Sequence, residues 1–180
     1  MDFQLDEAIA ILERTPAVVF ALLKGASDEL LNSREGDGTF SPIDVLGHFI
    51  HGEQTDWLPR TRIILESGEA QMFEPFDMSG HEAVIHGKSG NQLLVAFAAL
   101  RKQNLKALRQ LNLDEAKLDR TGMHPALGRV TLRNMLASWV VHDLSHTAQI
   151  ARIMARQYGD NVGPWRPRMT ILVHPERAVR

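Results

Sequence analysis

The stretch that decides the fold is Thr131–Tyr158, TLRNMLASWVVHDLSHTAQIARIMARQY. Trp139, His142, His146, Gln149 and Ile153 follow one another at steps of three or four, which predicts a helical seam turned into the protein. Within it, His142-Asp143-Leu144-Ser145-His146 sets two imidazoles four residues apart, roughly 40° of rotation and ~6 Å of rise on a helix. Both rings then leave one face, close enough to share a metal ion. Buried polar groups need partners. A metal would supply them, and so would hydrogen bonds to backbone or water; spacing alone leaves both readings open. Asp143 is expected to face away from this seam and to pair with a helix neighbour, and Gln149 either orients a ligand or lies between helices.

Outward from this helix, the chain reads as all-α. Apolar positions at helical spacing run from about Leu5 to Lys24, with a break and restart expected at Thr15-Pro16. Ser41-Pro42-Ile43-Asp44 opens a second helix, with Ser41 as N-cap. It is expected to continue to about Ser67, bent by Pro59. Residues 68–89 read as irregular, with the question open whether they form a lid. A third helix spans about Gly90 to Leu111, and Thr121 to Arg129 reads as a loop before Thr131 caps the fourth. Gly163-Pro164-Trp165 suggests a short final helix. No strand alternation persists. Four helices around an inward polar pair predict a four-helix bundle, a fold that often builds metal sites in its core. One domain over 1–172 is expected, with a tail at 173–180.

Composition narrows the function. A net charge of -2 and 44% hydrophobic residues argue against nucleic-acid or membrane-surface binding. No apolar run is long enough for a transmembrane helix. Asp2, Asp6 and Glu13 interrupt the start of the chain, unlike a secretory signal, so a cytoplasmic location is expected. With no cysteine, any metal must be held by nitrogen and oxygen, and a sulfur nucleophile would have to come from outside.

Two imidazoles make a weak site; a catalytic zinc-type centre takes three protein ligands and leaves a position open. The second helix offers His48 and His51, whose directions differ by about 60°. At most one of them points at the fourth helix. His48 lies in line with Val45 and Gly52, near the expected core. Glu53 projects elsewhere, as a supporting or surface group, and Glu53 and Asp56 are weak candidates for a base. His81 and His86 are expected to be solvated. His124 is expected near the His142 end, and His174 in the tail without a role. Trp57, Trp139 and Trp165 are expected to pack.

Phe40-Ser41-Pro42, then Val45-Leu46-Gly47-His48, Glu53 and Trp57, together with Leu136 to Arg152, resemble the second and last helices of the DinB-like (YfiT-like) superfamily. The resemblance implies a four-helix bundle in up-down-down-up order. It also implies a divalent metal on His48, His142 and His146. Zinc, nickel, iron and manganese all suit three imidazoles. The implied function is a metal-dependent enzyme, thiol S-transferase-like or hydrolase-like, acting on a small molecule with a low-molecular-weight thiol in the first case. The implied assembly is a homodimer. The alternative is a non-catalytic metal- or small-ligand-binding bundle.

Overall fold

The computed structural model describes residues 2–173. Its helices are α1 Leu5–Leu23, α2 Asp28–Asn32, α3 Pro42–Thr55, α4 Trp57–Glu66, α5 Gly80–Ile85, α6 Gly90–Gln110, α7 Glu115–Leu118, α8 Leu132–Arg156 and α9 Thr170–Val173. The bundle is made by α1, the α3–α4 pair, α6 and α8. Side-chain caps start three of these. Ser41, Ser89 and Thr131 each accept from the backbone N–H three residues on, and Asp44, Gln92 and Asn134 reach back to the cap. Each such cap contributes about 1 kcal/mol. Of the expected tail, only Val173 lies within the described residues; His174 lies outside them.

The prolines act differently from the expectation. Helix α1 runs through Pro16 without a break. Proline has no N–H to offer the carbonyl four residues back, and the freed Leu12 carbonyl accepts instead from Arg101 Nη1 at 2.8 Å. A tertiary contact thus replaces the missing helical bond. Ahead of Pro59 the chain does break, at Asp56 (φ −108, ψ −73), rather than bending at Pro59 itself. In an unbroken helix the Pro59 ring would crowd the carbonyl of Thr55; with the break, Pro59 sits in the first turn of α4.

Residues 68–89 are also more ordered than their composition suggests. A 3-10 turn at Gly68–Ala70 leads to a bridge between Met72 and Met123, and α5 then packs on α3. Glycine makes that approach possible: a Cβ on Gly47 would lie 2.5 Å from Ile85 Cγ2, and one on Gly80 would lie 2.3 Å from His51 Cε1. The stretch 121–131 is a small antiparallel hairpin, Thr121–His124 (β1) with Gly128–Thr131 (β2), instead of a loop. Strands of four residues are too short for alternation to register in the sequence.

The core is two apolar clusters divided by a polar layer. One contains Leu12, Trp57, Leu105 and Trp139; the other contains Val19, Ile50, Phe97 and Ile150. On each long helix the change from one cluster to the other falls at polar residues: Thr15 on α1, Glu53 on α3, Arg101 and Asn104 on α6, Asp143 on α8.

Candidate metal centre

Three imidazoles meet at this layer, His48 from α3 with His142 and His146 from α8. One ring nitrogen of each lies within 4.8 Å of the others, and His48 Nε2 is 2.8 Å from His142 Nε2. Two nitrogens bound to one cation at ~2.1 Å would sit about 3.0–3.4 Å apart, so the His48–His142 pair is within a few tenths of an ångström of sharing a cation, with His146 within 4.8 Å of both.

Electrostatics favour the neutral, lone-pair-bearing form that a metal needs. Burial, then the neighbouring imidazoles His146 and His142, lower the pKa of His48 from 6.5 to about 2. Burial, then His142, lowers that of His146 to about 4, against a smaller opposing effect of Gln149. His146 Nδ1 donates to Gln149 Oε1 at 2.9 Å, which leaves Nε2 as the free lone pair. Gln149 in turn donates to the Phe40 carbonyl at 3.5 Å. His48 Nδ1 and His142 Nδ1 are buried without a hydrogen bond.

Aromatic rings wall the cluster. Phe40 and Phe76 lie 5.3 and 5.4 Å from His48, Phe49 lies 5.9 Å from His142, and Trp57 lies 5.1 Å from His142. Phe76 comes from the stretch before α5, so the segment that read as irregular supplies part of the wall.

Among the described residues, the other histidines are not part of the three-nitrogen cluster. His51 packs against Phe76 and Gly80, its Nε2 buried without a partner. His81 is buried rather than solvated, its Nδ1 donating to the Met78 carbonyl at 3.0 Å and its Nε2 3.8 Å from Asp44 Oδ1. His86 is exposed. His124 lies on β1, where its Nδ1 accepts from the backbone of Ala126 and Leu127. Trp57 and Trp139 stack in the core, but Trp165 is 64% exposed and does not pack as expected.

Glu53, expected as a supporting or surface group, and Asp143, expected to face away from the seam, are both buried. Glu53 accepts from Arg101 and Asn104, and Asp143 accepts from Arg101 at 2.6 and 3.2 Å. Asp143 therefore lies on the buried stripe of α8 with Trp139, Ile150 and Ile153, and the histidines flank it. Burial pushes Glu53 up, partly offset by Arg101. Burial also works to raise Asp143, but the contacts with His142 and Arg101 outweigh it and hold that carboxyl below the ordinary range. Burial raises the Asp56 carboxyl as well, against the pull of Arg60.

Arg101 is the residue that reading the sequence missed. A signal was present: Leu94, Phe97, Arg101, Leu105 and Leu108 follow at steps of three or four, with an arginine in the place of a core residue.

Three histidines converging between the core halves of a helical bundle lie where bundle folds often build ligand sites, among facing helices. The chain is a member of the DinB superfamily, whose family model matches residues 11–150. It is similar in fold to YfiT from Bacillus subtilis, described as a probable metal-dependent hydrolase with an unusual four-helix bundle topology. The similarity has a TM-score of 0.72 at 22% identity and covers 87% of this chain and 90% of that one. No curated protein matches the chain. Among the described residues, no helix is long and apolar enough to cross a membrane.

Proposed function

We propose that this protein is a divalent-metal-dependent enzyme acting on a small electrophilic molecule, with His48, His142 and His146 as the metal ligands. The observation that carries the reading is the convergence of three imidazoles, with one ring nitrogen of each within 4.8 Å of the others, in a half-buried, aromatic-walled site. A bound divalent cation supplies Lewis acidity and lowers the pKa of a water or thiol beside it.

The protein's own residues do the rest. Gln149 holds the His146 ring in one tautomer. Phe40, Phe76 and Trp57 line the imidazoles with apolar surface, while His142, 21% exposed, leaves the cluster open on one side. Since the chain has no cysteine, the nucleophile is water in a hydrolase-like reaction or an external low-molecular-weight thiol in a transferase-like one. The described relation of YfiT to hydrolysis favours water.

The test is metal analysis of freshly purified protein, followed by turnover of an activated ester and a haloalkane with and without added thiol. One divalent ion per chain is expected, with turnover lost in His146→Ala. A wild type that retains no divalent cation at neutral pH sinks the reading. So does a His146→Ala variant with unchanged turnover.

A further inference from the structure

The metal reading leaves one feature of the polar layer unused. Asp143 is fully buried, and its carboxylate faces two ways. Both oxygens accept from the Arg101 fork, Oδ2 from Nη1 at 2.6 Å and Oδ1 from Nη2 at 3.2 Å. Oδ1 also lies 3.6 Å from His142 Nδ1, a buried nitrogen without a hydrogen-bond partner.

Arg101 holds this arrangement rigidly. Its Nε and Nη2 reach Glu53 Oε1 at 2.8 and 2.7 Å, and Nη1 also donates to the Leu12 carbonyl that Pro16 leaves free. Its guanidinium lies 5.0 Å from the ring centroids of both Phe97 and Trp139. A planar fork gripped on two carboxylates, a carbonyl and two ring faces has little freedom to turn. Adjacent residues on a helix point ~100° apart. Asp143 can therefore stay in the core with one edge of its carboxylate and turn the other toward its neighbour, His142.

We propose that Asp143 is a positioning residue for the metal centre. It accepts the Nδ1–H of His142, fixes the tautomer in which Nε2 carries the lone pair, and so aims that nitrogen at the point where His48 and His146 converge. The gap is a few tenths of an ångström beyond a normal hydrogen bond. A carboxylate behind a ligating imidazole raises its basicity, and removing such a partner typically costs roughly 10–100-fold in metal affinity. The inference rests on the three-histidine metal reading.

Zinc affinity measured by competition with a chromophoric chelator tests it on the wild type, Asp143→Asn and Glu53→Gln. Glu53→Gln is the control, because it removes the other carboxylate on Arg101 but touches none of the three histidines. Asp143→Asn is expected to bind zinc roughly 10–100-fold more weakly, and Glu53→Gln within about threefold of wild type. Equal losses in both variants, or no loss in Asp143→Asn, overturn the positioning role. Should Asp143→Asn fail to fold, nitrogen-15 NMR of the zinc-loaded wild type decides. A slowly exchanging proton on His142 Nδ1 supports the role, and a proton on His142 Nε2 overturns it. A wild type that binds no zinc overturns the metal reading itself, a result distinct from a wild type that binds while Asp143→Asn binds equally well.

Discussion

Two polar clusters share the interior of this bundle, and they are opposites. In the Glu53–Arg101–Asp143 network, donors meet acceptors: both carboxylates are held by the guanidinium, and Asn104 and the Leu12 carbonyl take what remains. In the His48–His142–His146 cluster, three nitrogens converge on one another and two further ring nitrogens lack any partner. The first network is complete as it stands. In the second, His48 Nε2 and His142 Nε2 meet only each other, at 2.8 Å, and the two unpartnered Nδ1 atoms cost up to a few kcal/mol to bury. One completes the fold; the other is where the proposed metal would bind.

The largest effect should come from breaking the complete network. Arg101→Met leaves two buried carboxylates without their counter-charge, and urea denaturation should show a loss of about 3–5 kcal/mol. A loss below about 1 kcal/mol would mean that solvent reaches the layer and that the contrast is overdrawn.

The incomplete cluster should respond to ligand instead. Zinc at one hundred times its dissociation constant should stabilise the wild type by about 2.7 kcal/mol. It should do little for His48→Ala, His142→Ala or His146→Ala. Equal stabilisation of wild type and all three variants in thermal melts would locate the binding elsewhere.

Acid sharpens the same contrast. In the metal-free protein His48 and His146 titrate near 2 and 4 instead of 6.5. From pH 6.5 down to about 4, the unfolded chain therefore binds protons that the folded chain does not, and the contribution to stability falls as the pH falls. The raised carboxyls of Glu53 and Asp56 work in the opposite direction. The informative quantity is thus the wild-type slope minus that of His48→Ala, read from urea midpoints at pH 7, 6 and 5. Wild type should lose more stability toward pH 5; parallel profiles would contradict the buried neutral imidazoles.

A smaller effect tests the wall of the site. Gly47→Ala puts a methyl 2.5 Å from Ile85 Cγ2 and 3.0 Å from the His81 carbonyl oxygen. Pushing α5 off α3 should cost about 1–3 kcal/mol and loosen Phe76 over His48. A stability within about 0.5 kcal/mol of wild type in denaturant would show that α5 is not tightly docked.

The difference between the clusters also explains what could be read in advance. The histidines were legible because ligand spacing on one helix is a local property, and because the pattern around His48 resembled a family that pairs it with the last helix. The arginine network was not legible, because hydropathy assigns Arg101, Glu53 and Asp143 to the surface one by one. Each is stable in the core only in the company of the others. Pro16 failed as a helix breaker for the same reason, since the carbonyl it strands is satisfied by a residue on α6.

The amino-acid sequence alone determined the helical periodicity, the caps at Ser41 and Thr131, and the pairing of His142 with His146 on one face. These are consequences of neighbours within a turn or two, where backbone geometry leaves few choices. Only the tertiary structure decided that His48 meets that pair, that Arg101 lies between two carboxylates, and that Phe76 closes over the imidazoles. Those outcomes depend on groups far apart in the chain, whose burial is favourable only once the partner arrives.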